Sequence, residues 1–149
     1  MPTAQHFEDL KVWQLSRQLT AKIYALARQG DFAKDHGFRD QICRSAVSIV
    51  SNIAEGFERR TNSQFQHFLD IANGSAGELR AQLYIALDLA YITPDQFRDA
   101  HSETVSIGKM LTSLIRHLRS SPNPPPPPQE PPNSLSKKLP NHQTTKPPN

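Results

Sequence analysis

The sequence predicts an all-α fold: an up-down antiparallel four-helix bundle over residues 1–120, with a disordered proline-rich tail over 121–149. Three observations predict it. Apolar residues recur at three- and four-residue spacing through four long segments, the period of a helix with one buried face. No segment alternates apolar and polar residues as a half-buried strand would. Stop and start signals separate the segments: Gly30, Gly56 and the Thr93-Pro94 pair.

The first helix is expected over about Phe7–Gln29, where Val12, Leu15, Leu19, Ile23 and Leu26 line one face and Trp13 and Tyr24 share a flank. Gly30 is placed to end it, because glycine accepts the left-handed conformation that closes many helices. A loop over 30–37 leads to the second helix, about Phe38–Phe57. There Phe38, Ile42, Cys43, Ala46, Val47, Ile49, Val50, Ile53, Ala54 and Phe57 fall in one arc of about 180°, against roughly 100° for an ordinary surface helix. An arc that wide calls for two contacts, either two neighbouring helices or one helix and a second subunit.

Ser63, with Gln66 three residues on, reads as the N-cap of a third helix over about Gln64–Tyr91. Phe65, Leu69, Ala72, Ala76, Leu79 and Leu83 belong to its main face, and Ile71, Ser75, Glu78, Gln82, Ile85 and Leu89 to a second stripe. Gly74 and Gly77 inside this helix each cost about 1 kcal/mol relative to alanine, so they predict close approach of another backbone, with Ala46, Ala54, Ser45 and Ser48 as facing small residues. Thr93 as N-cap, Pro94 in the first turn and Gln96 closing the box open the fourth helix. Its two apolar lines, Phe97, Thr104, Leu111 and Leu118 beside Ala100, Ile107 and Leu114, keep a heptad suited to bundle packing. The residues expected to pack helices or subunits together are Val47, Val50, Ala54, Ile71, Gly74, Gly77, Ile85 and Leu89.

Beyond Ser120 prolines crowd a segment with almost nothing apolar, too little to offset chain entropy. The formal net charge is +3, but residues 1–120 hold 14 Lys/Arg against 13 Asp/Glu, a net of +1, so attraction to nucleic acid has to come from local clustering. The single cysteine, Cys43, lies on the apolar arc and reads as a small buried hydrophobe. Without a signal peptide or an apolar run near 18 residues, the chain reads as cytoplasmic, with no membrane partner.

Few residues offer chemistry. Glu55, Asp70 and Glu78 lie on or near the central helices, but the paired Glu-x-x-His motifs of a di-iron bundle are missing, so neither metal nor cofactor is expected. Ser106 and Lys109 match Ser-x-x-Lys only by chance, since Ile107 between them is a core position. Arg60 and His67 resemble the Arg-x(4–6)-His motif of the helical HEPN ribonucleases; the plainer reading is an exposed His67 in the first turns of a helix. No catalytic residue is assigned. The remaining signal is basic: Arg59 and Arg60 at the turn between the second and third helices, Arg44 on the polar face of the second, and Arg116 and Arg119 ending the fourth. Such arginines either bind phosphate or form a solvated face, which the helix dipole also favours near a C-terminus.

Several spaced motifs agree, in order, with one family. Phe7-Glu8-Asp9-Leu10-x-Val12-Trp13, Gln41-Ile42-Cys43-Arg44-Ser45-Ala46, Asn52-Ile53-Ala54-Glu55-Gly56 and Phe65-x-x-Phe68-Leu69-x-Ile71-Ala72-x-Gly74-Ser75-x-x-Glu78-Leu79 resemble the four-helix-bundle family of 23S rRNA intervening-sequence proteins over residues 7–118. The resemblance implies an up-down bundle assembling as a homo-oligomeric ring, typically a pentamer. It also implies an accessory or scaffold role near RNA or DNA. A related bundle is the accessory protein of diversity-generating retroelements, with a reverse transcriptase as partner. The rival expectations are an assembly module without nucleic acid and a HEPN-like ribonuclease.

Overall fold

A computed structural model of the protein describes residues 4–121, and these are helical throughout, with no strand among them. A 3₁₀ turn, Phe7–Asp9, precedes α1 (Lys11–Ala27), a one-turn α2 (Gly30–Lys34), α3 (His36–Glu58), α4 (Asn62–Asp88) and α5 (Pro94–Ser120). The four long helices form the expected bundle: α3 lies between α1 and α4, and α5 closes the other side against the same two. Leu19, Ile23, Ile49, Ile53, Leu69, Leu79, Leu83, Ile107 and Leu111 fill the core, drawn from the apolar positions of all four.

The wide arc on α3 resolves into its first alternative. Ile42, Ala46, Ile49 and Ile53 are buried, Val50 and Ala54 half-buried, and Val47 is left 39% exposed. Two neighbouring helices therefore cover most of the arc, with Val47 left outside both contacts. The second stripe of α4 divides instead. Ser75 and Gln82 are buried, with the Ser75 hydroxyl 2.8 Å from that of Ser48 on α3. Ile71, Ile85 and Leu89 stay 40%, 46% and 51% exposed.

Caps account for the helix ends. Thr93 and Gln96 exchange both bonds of a capping box, Gln96 N to Thr93 Oγ1 at 3.1 Å and Thr93 N to Gln96 Oε1 at 3.0 Å. Ala90, at φ 57°, takes the left-handed position after α4, and the Tyr91 and Ala90 amides donate to the Ala86 and Leu87 carbonyls, both at 2.9 Å. That is a Schellman closure, with alanine where glycine is usual.

Other expected boundaries move. The first helix starts at Lys11 and ends at Ala27; Gly30 does have positive φ, 43°, but opens α2 rather than closing α1. The segment 30–37 is not plain loop, because Phe32 of α2 is buried and stacks on Phe38 and Tyr91 at 5.6 and 5.2 Å. The N-cap of α4 is Thr61, not Ser63: its hydroxyl accepts from Gln64 N at 3.2 Å. The same Thr/Ser-x-x-Gln spacing fits both positions, and the earlier one wins because Asn62 is needed inside the helix.

The glycine expectation is overturned within the chain. A Cβ added at Gly74 or Gly77 meets nothing within 4 Å, so neither lies against α3, and Gly77→Leu is not expected to overpack that contact. The close approach is at Gly56. A Cβ there would stand 2.7 Å from Phe68 Cβ and 3.3 Å from the Phe65 carbonyl oxygen. The tail expected beyond residue 120, including Lys137, Lys138 and Lys146, lies outside the described residues.

One polar contact ties the far end together. Asp35 caps α3 by accepting from Phe38 N at 3.3 Å and also accepts the Tyr91 hydroxyl at 2.8 Å. That bond to a carboxylate, with some burial, holds the Tyr91 phenol above its ordinary pKa. A raised folded pKa favours the protonated phenol, so its contribution is complete below about pH 10, the unfolded value, and is lost as pH climbs through the folded pKa. In ultraviolet titration the difference between wild type and Tyr91→Phe should ionise above about pH 10. Ionisation at or below that value would mean that the Tyr91–Asp35 bond is not made.

Candidate nucleic-acid interface

The turn between α3 and α4 is fastened to the end of α5 by one side chain. Asn62, buried in the first turn of α4, donates from Nδ2 to the Leu118 carbonyl at 3.4 Å and the Ser121 carbonyl at 3.0 Å. The last carbonyls of a helix have no partner within it, and the amide supplies one. Arg59 and Arg60 of the turn are thereby brought to the same end of the bundle as Arg116 and Arg119 in the last turns of α5.

These four are not equivalent. Arg59 Nη2 lies 2.7 Å from Glu55 Oε1, one helical turn back, and its guanidinium stands 5.1 Å from the Phe68 ring centroid. Its charge is partly answered within the chain, although an exposed pair of this kind adds little stability. Arg60 (φ 65°), Arg116 and Arg119 are exposed, and none forms an ion pair among the described residues.

Arg44 lies apart. It shares a groove of about 530 Å³ between α1 and α3 with Arg28, Arg39, Tyr24 and Cys43. Arg39 is engaged there by Asp40 at 3.4 Å and by the Ala33 carbonyl at 2.9 Å. Burial pushes the Cys43 thiol pKa up, against the pull of Arg39, which suits the small buried hydrophobe expected from the sequence.

Two cations escaped the sequence reading. Arg80 on α4 and Lys109 on α5 line, with Arg116 of α5, a groove of about 550 Å³ between the two helices. A signal for it exists: Lys109, Thr112, Ser113 and Arg116 follow i, i+3, i+4, i+7, a polar stripe beside the apolar heptad. Only the approach of α4, however, turns the stripe into a groove wall.

The Arg60 and His67 pair is not joined. His67 is exposed on α4 with its ring edge-on to Phe68 at 5.4 Å, and no hydrogen bond links it to Arg60 among the described residues. No helix among the described residues is long and apolar enough to cross a membrane.

Comparison with known proteins adds two findings. The family model described as 23S rRNA-intervening sequence protein matches residues 8–113. A crystal structure from Bacteroides thetaiotaomicron VPI-5482, of a protein of unknown function from the S23 ribosomal protein family, is similar at 28% identity and a TM-score of 0.65, covering 70% of this chain and 98% of that one. No curated protein matches.

Proposed function

The chain belongs to the 23S rRNA-intervening sequence protein family, and from that premise we propose that it is a non-enzymatic, self-associating helical scaffold that engages RNA or DNA. The observation that carries the nucleic-acid part is the end of the bundle fastened by Asn62, where Arg60, Arg116 and Arg119 form no ion pair among the described residues. A domain of net charge near +1 is a weak electrostatic ligand as a monomer. Assembled as a ring, expected at five subunits from the family resemblance, it repeats the same patch on every copy. Weak contacts to one polymer then add through effective concentration.

A binding titration at several salt concentrations tests this. Arg60→Glu with Arg119→Glu should weaken binding and flatten the salt dependence by about 1.4 in log–log slope on a single strand, at about 0.7 per neutralised charge. Arg59 is left in place because Glu55 and Phe68 already hold it. The same titration on a chain ending at Ser121 separates this patch from Lys137, Lys138 and Lys146. Binding that survives the double replacement and vanishes with the tail would assign the site to those lysines.

The exposed Ile71, Ile85 and Leu89 favour a second reading, an assembly module that touches only protein. Wild type that binds neither RNA nor DNA at low salt would leave that reading in place of the first.

A further inference from the structure

The α4–α5 groove combines two features that the basic end of the bundle does not have together. The first is a row of unanswered cations. Arg80, Lys109 and Arg116 line it, no carboxylate does, and none of the three forms an ion pair among the described residues. Gly77 and Gly108 keep its floor low: a Cβ at Gly77 would meet nothing, and one at Gly108 would meet only the Asn73 side-chain oxygen, at 3.6 Å. Ser113 adds a hydroxyl along the α5 wall, while the Thr112 hydroxyl donates to the Gly108 carbonyl at 3.0 Å.

The second feature is an aromatic platform on the same seam. Tyr84 lies one turn beyond Arg80 on α4, and His101 two turns before Gly108 on α5. Phe97 and His101 stack at 5.0 Å, and Tyr84 leans on both, 4.9 Å from Phe97 and 5.3 Å from His101. The two rings hold the tyrosine from one side, yet it is 50% exposed. From His101 to Arg116 the seam runs about 22 Å at the helical rise.

We infer that the α4–α5 groove binds a single-stranded nucleic acid, with its phosphates along Arg80, Lys109 and Arg116 and a base stacked on Tyr84. The inference rests on the nucleic-acid reading above and locates its strand-selective site. Cations alone accept any polyanion. A half-exposed tyrosine ring beside them rewards only unstacked bases, which a duplex keeps inside its helix. The span suits on the order of four nucleotides, the low end for single-strand channels.

The test uses the full chain, a short oligouridylate and an RNA duplex of matched length, each titrated at several salt concentrations. Arg80→Gln with Lys109→Gln should weaken oligouridylate binding and lower its log–log salt slope by about 1.4. Tyr84→Ala should cost about tenfold in oligouridylate affinity with the slope unchanged, and leave duplex binding as it was. Tyr84→Phe, which keeps the ring, should bind like wild type. Oligouridylate binding that withstands both groove variants but falls with Arg60→Glu and Arg119→Glu overturns the groove while the broader reading stands. Equal loss of duplex and single strand in Tyr84→Ala also overturns it, as does a changed assembled mass, which would make the tyrosine a subunit contact. Wild type that binds neither probe at low salt removes both readings together.

Discussion

Gly56→Ala should melt several degrees below wild type, while Gly77→Ala should melt at or slightly above it. The two substitutions are chemically identical, and both sit inside long helices, where alanine is favoured over glycine by about 1 kcal/mol. Their surroundings give them opposite signs. At Gly56 the new methyl would lie 2.7 Å from Phe68 Cβ, an atom fixed to the α4 backbone that no side-chain rotation can withdraw. Relief requires α3 and α4 to separate near the turn, where Phe57 and Phe65 meet edge to face at 5.8 Å and Arg59 rests over Phe68. Overpacking of this kind costs roughly 1–3 kcal/mol, and each kcal/mol is worth about 2–8 °C in domains near this size. At Gly77 the methyl enters open groove, so the propensity gain stands alone. Thermal denaturation followed by circular dichroism decides between them. Gly56→Ala melting with wild type would mean that the helices do not approach this closely, and Gly77→Ala melting well below it would mean that something covers the groove.

That pair also marks how far the sequence could be read. The four long helices were legible because each buries a face at its own period: the heptads of α5 and the Leu19, Ile23 and Leu26 line of α1 need no knowledge of a partner. The Thr93–Gln96 box was legible because both groups lie within four residues of one another. Features set by a neighbouring helix were not. Gly56 sat beside a turn and looked like a helix end, whereas Gly74 and Gly77 sat mid-helix and looked like packing positions; only the register of α3 on α4 shows which one faces backbone. Phe32 lay in a loop by every local signal, and its burial depends on Phe38 and Tyr91 meeting over it. Of the candidate site, the doublet Arg59-Arg60 and the pair Arg116 and Arg119 were legible as charge runs. Their gathering at one end rests on Asn62 reaching α5 across more than fifty residues of chain. Arg80 and Lys109 are isolated charges in sequence and become neighbours only across the groove.

Ile85→Asp with Leu89→Asp should convert the assembled protein to monomers without unfolding the bundle. Single exposed apolar side chains are ordinary on any protein surface. Ile71, Ile85 and the C-cap residue Leu89 differ in sharing one line along α4, with Gly74, Glu78 and Ala81 between them at three- and four-residue steps, the spacing of a seam between helices. The line runs about 27 Å along the helix, and Gly74 and Ala81 leave room for a partner to come close. Since α1 and α4 cover most of the arc of α3 and leave only Val47 exposed there, this line is the apolar surface on which the assembly proposal rests. In a closed ring every subunit uses the same two surfaces, so a substitution on one of them damages every interface. Two carboxylates placed in a desolvated contact and left unpaired cost at least ~3 kcal/mol per interface, which weakens association more than a hundredfold. Solvent already reaches both side chains in the single chain, so the helical signal should persist. Mass measurement in solution at micromolar concentration reads the outcome. An unchanged assembled mass in the variant would move the interface off α4, and a monomeric wild type would remove the assembly proposal altogether.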